Sequence, residues 1–310
     1  MDAPALAGSG AMRSGVAHDQ GKVTFATARL SLHCDPSEKG SVFMKRWAAS
    51  LVLATMVLAA ATGHRAQAEQ AVRGVVELFT SQGCSSCPPA DALLGELADE
   101  TGLVALTLPV DYWDYLGWKD TLASASYTAR QRGYAEQRGD RQVYTPQMVI
   151  DGQRHAIGSD RKAVEAALAA EKEAGAMSVP LTISSDETTV HVSVAAAPEG
   201  DEDVGPADVA ATDEGEAKKG PPKGVLWLMP VKRRERVKIG RGENTGRQVI
   251  YTNVVRGIMK VGKWYGREAT FMLPQDIARP DGCDGYVLIL QRGTGKAPGP
   301  ILGAAKSPGL

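Results

Sequence analysis

The sequence predicts an α/β domain followed by a mainly β domain, and three observations carry that expectation. Between residues 75 and 174 the apolar runs and helical periodicities read β-α-β-α-β-β-α. A Cys-x-x-Cys motif, Cys84 to Cys87, stands where the first strand gives way to the first helix. After Gly175 the helical periodicity stops, and short strands separated by Gly-rich turns suggest a sandwich-like β domain.

The elements follow in order. Residues 75–80 are a β-branched and aromatic run of the kind buried in parallel sheets. Ser81-Gln82-Gly83 breaks it. Pro88 and Pro89 suit the first turn of a helix, where a missing N–H had no intrahelical partner. Ala90, Leu93, Leu94 and Leu97 then recur at helical spacing as far as Gly102. Residues 103–110 read as a second strand, 111–120 as an aromatic-rich insert, and 126–138 as a polar helix rich in Arg and Gln. Residues 143–150 read as a third strand, turned by Asp151-Gly152 into a hairpin partner that ends at Ile157. Ser159 or Asp160 caps a helix running to Ala174, with Val164, Ala167 and Leu168 inward. Beyond it, strands are expected at 181–183, 190–194, 225–228, 248–255, 270–273 and 286–290. Residues 198–223 are acidic, rich in Pro and Gly and nearly without large apolar side chains, so they read as a solvated insert.

Composition narrows the function classes. In 310 residues, 35 basic side chains stand against 36 acidic ones, which lacks the basic footprint that nucleic acid demands. Arg233, Arg234, Arg236, Lys238 and Arg241 do cluster, and the acids of 198–216 balance them. Four cysteines are too few for a disulfide-built scaffold, so each is read by its position. Met44-Lys45-Arg46 precedes a 15-residue apolar run, 47–61, which is shorter than the roughly 20 residues of a membrane span. Ala66-Gln67-Ala68 follows with the small-x-small pattern of a signal-peptidase site. Residues 44–68 are therefore read as a signal peptide, with translation starting at Met44 and 1–43 a non-native or disordered extension. An uncleaved anchor is the alternative. The mature chain is expected to hold one domain at 69–175 and the β-rich one at 176–310, with no stable membrane insertion. Export would put Cys84, Cys87 and Cys283 in an oxidising compartment, periplasmic or extracellular, where disulfides persist.

Cys84 is the candidate nucleophile. At a helix N-terminus the free N–H groups and the dipole favour the thiolate, and Cys87 is spaced to close a disulfide and release a mixed-disulfide partner. An inert structural bridge, or a pair of reduced core thiols, is the competing reading. Glu77 is an acid inside an apolar strand and can take a proton from the resolving thiol; pairing with Arg or Lys at the sheet edge is equally open. Tyr112, Trp113, Tyr115 and Trp118 crowd seven residues beside the motif, either to grip a partner or to pack a local core. Asp111 and Lys119 are polar candidates within the same segment. Metal binding is not expected: His155 and His191 lack ligand spacing, and structural zinc needs four ligands. Cys283 reads as a small buried hydrophobe ahead of an apolar strand, with a third redox thiol as the alternative.

The Cys84-x-x-Cys87 motif after a strand, with Thr145-Pro146 opening another about 60 residues later, resembles the thioredoxin fold. The resemblance implies a cis Pro146 beside the disulfide, and Thr145 offering a carbonyl to a substrate chain. Ser85-Ser86 and Gly83 depart from the residues thioredoxin carries there. The string from Glu77 to Asp91, the stretch Val110 to Asp120 and Tyr144-Thr145-Pro146-Gln147-Met148 resemble the bacterial family catalogued as domain of unknown function 1223. That family brings a secreted location and a thioredoxin-like fold, without an established activity.

The function expected is a secreted thiol-disulfide oxidoreductase acting on protein thiols or disulfides, needing no cofactor. Its alternatives are a non-enzymatic envelope-binding module with a fixed bridge, and a copper chaperone using the same thiols. N-terminal sequencing of exported protein should begin at or near Glu69; a mature chain starting within residues 1–43 would sink the signal-peptide assignment.

Overall fold

Strand β1 (Gly74–Thr80) and strand β2 (Leu103–Pro109) run parallel in unbroken register, from Gly74 beside Leu103 to Thr80 beside Pro109. In this computed structural model, which describes residues 71–199, 223–295 and 297–310, every residue of both strands is buried. The signal peptide, the extension before it and nearly all of the acidic insert lie outside the described residues. Helix α1 (Pro88–Ala98) joins the two strands, with both prolines in its first turn and Ala90, Leu93, Leu94 and Leu97 turned inward. Helix α2 (Ala125–Arg138) is capped by Ser124 and helix α3 (Arg161–Glu173) by Asp160, whose carboxylate accepts from Ala163 N at 3.1 Å.

Strand β3 (Gln147–Ile150) lies antiparallel to β1 and forms a hairpin with β4 (Arg154–Ile157). The strand expected over 143–150 begins only at Gln147, because Pro146 has no N–H to give a ladder.

Two sheets organise the whole. Strands β5 (Leu181–Ser185), β6 (Thr189–Val194) and β10 (Ala269–Pro274) make a three-stranded sheet in the order β10-β6-β5. Strands β7 (Gly224–Lys238), β8 (Gln248–Val255), β11 (Gly285–Gly293) and β12 (Pro298–Lys306) continue the sheet of β1 to β4 in the order β12-β11-β7-β8-β2-β1-β3-β4, with β9 (Met259–Trp264) on the flank of β7. The fold is thus mixed α/β, with one large mixed sheet and one small sheet. The division expected at residue 175 falls between elements, yet the large sheet runs across it. Residues Gln67–Leu310 form one compact unit.

The seam between the two halves of that sheet is a single parallel pair, Thr107 beside Val254. Asn253 has φ +49°, which turns β8 away from β2. Side chains complete what the ladder omits. Thr107 Oγ1 donates to Thr252 O at 2.6 Å, Asn253 Nδ2 to Ala105 O at 3.0 Å, and the Tyr127 hydroxyl to Val255 O at 2.8 Å.

Cores form on both faces of β1 and β2. Val76, Leu78 and Ala105 meet α1 and α3, whereas Val75, Phe79, Leu106 and Leu108 meet Tyr127 and Tyr134 of α2 and Met229, Ile289 and Ile301 beyond it. A third core joins Val190, Val192 and Val194 of the small sheet to Leu226, Leu228, Leu288 and Leu290 of the large one. Strands β9 and β12 escaped the sequence reading. β12 is made of Pro, Gly and Ala around two apolar residues, a composition that tertiary contact and not propensity turns into a strand. Gly303 within it must stay small, since a Cβ there would run into the Val179 carbonyl.

A buried polar cluster pins α2 to β1. Arg130 grips Glu77 as a fork, Nε to Oε1 at 2.7 Å and Nη2 to Oε2 at 3.0 Å, with both side chains almost fully buried. The Tyr134 hydroxyl donates to Glu77 Oε2 and accepts from Gln291 Nε2 at 2.8 Å, which carries the cluster into β11. Glu77 beside it holds Arg130 protonated despite burial. Arg130→Met should therefore cost about 3–5 kcal/mol in urea unfolding, because it leaves Glu77 buried and unpaired. Glu77→Leu in the same chain should recover most of that loss. A single-variant cost under about 1 kcal/mol would show that the pair pins nothing.

Candidate functional site

The chain leaves β1 in a tight turn built by its own polar groups. Ser81 O accepts from Cys84 N at 3.1 Å, and Ser81 Oγ accepts from Gly83 N at 3.1 Å. Gly83 has to be small because a Cβ there would stand 3.1 Å from Trp113 Cβ. Cys84 and Cys87 are joined in a disulfide, with Cα atoms 5.4 Å apart, and Cys87 is the N-cap of α1. Ser85 and Ser86 face solvent, but Cys84 is only 1% exposed and Cys87 not at all. Access therefore does not distinguish the two cysteines in this state.

Four buried residues that sequence reasoning passed over hold this turn. Gln82 N donates to Asp120 Oδ2 at 2.8 Å, and Gln82 Oε1 accepts from Trp118 Nε1 at 2.8 Å. Asn244, at the tip of the β7–β8 hairpin, donates through Nδ2 to Gln82 O at 3.0 Å and to Cys84 O at 2.8 Å. Asp91 lies four residues after Cys87, so the two side chains share one face of α1, with Cβ atoms about 5–6 Å apart by helix geometry. Asp91 Oδ1 accepts from the Thr80 hydroxyl at 2.8 Å, while Oδ2 has no partner among the described residues. Burial pushes the Asp91 carboxyl up to about 8; the Thr80 bond opposes this and the Asp120 charge adds to it. Asp120 is itself raised by burial, against the backbone N–H groups of Gln82 and Leu122 that it accepts. The Tyr251 hydroxyl, raised mainly by burial, also feels both carboxylates. Burial thus favours the protonated form of Asp91, four residues after Cys87 on α1.

The remaining expected residues divide by position. The Thr145–Pro146 peptide is cis, as the thioredoxin resemblance implied, and Trp113 Nε1 donates to Thr145 Oγ1 at 2.8 Å. Trp113 and Trp118 thus brace the turn from two sides, whereas Tyr115 projects into solvent at 80% exposure. Asp111 accepts from the Thr128 hydroxyl at 2.6 Å, and Lys119 is exposed. Glu77 points to the α2 face of β1, paired with Arg130 in the sheet interior and not at an edge. His155 sits between Tyr144 OH at 2.9 Å and Asp140 at 3.1 Å, and His191 faces Asp186 at 3.4 Å. Cys283 is an unpaired, half-buried thiol ahead of β11, raised by burial and placed among Arg256, Asp284 and Lys232. Among the described residues no three His, Cys, Asp or Glu side chains gather as metal ligands would, and no helix is long and apolar enough to cross a membrane.

The stretch that holds the Cys-x-x-Cys turn and the aromatic segment lies within a family match. The family described as "Protein of unknown function (DUF1223)" matches residues 75–291. The chain belongs to this family. Among solved structures, the chain is similar to the crystal structure of protein AGR_C_4864 from Agrobacterium tumefaciens. Identity is 33% over 77% of this chain and 95% of that one, with a TM-score of 0.62. HBP35 of Porphyromonas gingivalis is 10% identical over 77% of this chain and 76% of its own, at a TM-score of 0.45. No curated protein matches the sequence. The family match spans Cys84, Asp91, Asp120, Pro146 and Asn244 alike.

The Asp91 carboxyl gives a pH test. Unfolded, it would titrate near the ordinary value of about 4; folded, it does so at about 8. The folded chain holds that proton more tightly, so the stability it lends is complete below pH 4 and is lost as pH rises towards 8. Asp91→Asn, neutral throughout, should gain on the native protein across that window by up to ~1.4 kcal/mol per pH unit. Parallel stability profiles for the two proteins from pH 4 to 8 would overturn the assignment of a buried, protonated Asp91.

Proposed function

We propose that the chain is a thiol-disulfide oxidoreductase of the cell envelope, exported after signal cleavage, with β1 to α3 as a thioredoxin-like module. What carries this reading is the Cys84–Cys87 disulfide at the head of α1, with the buried Asp91 carboxyl, raised by burial, one turn further along the same helix. A thiolate of a protein substrate attacks Cys84 Sγ, the Cys84–Cys87 bond breaks, and Cys87 leaves as a thiolate that takes the proton of Asp91. A second substrate thiolate then attacks the substrate sulfur joined to Cys84. The substrate leaves oxidised to a disulfide, and the Cys84–Cys87 pair is left as the reduced dithiol. Run backwards, the same groups reduce a substrate disulfide, with Asp91 as the acceptor for the Cys87 proton. Asp91 thus takes the part that the sequence suggested for Glu77, whose carboxylate is committed to Arg130 on the other face of β1. The electrons pass between thiols alone, so no cofactor is called for. Trp113, Tyr115, Trp118 and Thr145 are the surfaces on which a substrate chain would rest.

A second reading, a binding module with a structural bridge, is favoured by the burial of both sulfurs. The two separate cleanly. Under the exchange reading, Cys87→Ser traps mixed disulfides on Cys84 in the envelope, Cys84→Ser traps few, and Asp91→Ala slows resolution about tenfold or more near neutral pH. A reduction potential below about −300 mV, together with an empty Cys87→Ser trap, would leave the structural bridge as the function.

A further inference from the structure

Cys84 is covered in the folded state, and the group that joins its turn to the far part of the chain is Asn244. The nine residues between β7 and β8 form a hairpin tip closed by its own backbone, with Gly246 N donating to Ile239 O at 2.8 Å and Arg247 N to Asn244 O at 3.1 Å. Gly242 and Gly246 take positive φ, which lets the tip fold back sharply. Its apolar footing is small: Ile239 with Val249, Tyr251 and Val254, edged by Trp118 and Leu122. Gly240 lies against the Trp118 ring, where a Cβ would stand 3.0 Å away. At the end of the tip Asn244 is 1% exposed, and its amide gives hydrogen bonds to the carbonyls of Gln82 and Cys84, while its own Oδ1 has no partner.

We infer that the 239–247 tip is a latch on the disulfide, fastened by Asn244, and that its release is the step that opens Cys84 to attack. The inference rests on the exchange reading and supplies what that reading lacks, a route for a partner to a buried sulfur. Two neutral hydrogen bonds and a small apolar patch make a fastening that local fluctuation can undo while the large sheet stays intact. A closing element of this kind sets rates by its opening equilibrium. Trp113, bonded to Thr145, packs beside Gly83, so the turn is also covered from within the first half of the chain.

The test uses the oxidised full chain and tris(2-carboxyethyl)phosphine, a small reductant that needs no recognition. Thiols released from Cys84 and Cys87 are counted over time by alkylation and mass measurement. Asn244→Leu, close to Asn in size but without donors, should speed reduction about tenfold, which is about 1.4 kcal/mol in the opening equilibrium. Ser307→Ala, which instead removes a buried bond from Tyr286 N at 3.0 Å far from the tip, should leave the rate within twofold of the native protein. Equal rates for the native chain and Asn244→Leu would overturn the latch. Hydrogen exchange on the unsubstituted protein gives an independent reading that does not rely on the variant folding. Peptides covering 81–87 and 239–247 should lose protection together, and a disulfide reduced while 239–247 stays protected would also overturn it. Partner capture by Cys87→Ser is measured separately, so failure of the exchange reading shows as an empty trap with the Asn244 effect intact.

Discussion

Buried backbone carbonyls must find donors, and in the turn after β1 the donor arrives from 160 residues further along the chain. Much of the architecture serves to deliver it. The β7–β8 hairpin reaches the Cys-x-x-Cys turn only because β8 docks on β2, and β8 docks there by one ladder pair and three side-chain bonds. The weak seam is consistent with the strong neighbours on either side of it, where β1 and β2 pair over seven residues and β7 and β8 over nearly the whole length of β8. Without Asn244, Gln82 O would sit in the interior with no other donor among the described residues, a cost of the order of 1–3 kcal/mol.

Two carboxyl groups near the site show how position decides role. Glu77 and Asp91 are both almost fully buried, and they belong to adjoining elements. Glu77 meets a forked guanidinium and a tyrosine hydroxyl, so its negative charge is matched and its contribution is to hold α2 on β1. Asp91 meets one hydroxyl and a second acid, so burial wins and the proton stays. A matched carboxylate is a poor proton donor, whereas an unmatched buried acid is a ready one.

Much of the first half was legible because its signals are local. The all-apolar strands 75–80 and 103–110, the proline start of α1 and the capping Asp160 all depend on neighbours in sequence, and each element lies within a few residues of its expected place. The disulfide pair and the cis Thr145–Pro146 bond followed from spacing and resemblance. The second half was less readable. Val225 to Leu228 looked like a short strand, but β7 extends to Lys238 because its basic outer half is paired to β8 and not because its residues favour strands. That β7, β8, β11 and β12 continue the first sheet could not be read, since period two reports a face and not a partner. Asp91 did carry a signal, an acid at i+4 from Cys87 on an otherwise apolar helix face; Asn244 and Asp120 carried none, because their roles exist only through contacts distant in sequence.

The latch and the proton are bound together by the same strand. Tyr251 lies on β8, a few residues beyond the Asn244 tip, and it shares the buried space of Asp91 and Asp120. The force that keeps Asp91 protonated is exclusion of water. Lifting the tip uncovers the Gln82 and Cys84 carbonyls that Asn244 serves, and hydration of Asp91 would lower its carboxyl towards the ordinary value. A motion that opens Cys84 while Asp91 stays dry therefore leaves the proton in place for the Cys87 thiolate, whereas full hydration would release it to solvent. Access and proton supply are thus linked through the same buried space. A closed site keeps both sulfurs and the proton out of solvent, and neither is offered to small thiols until the hairpin moves.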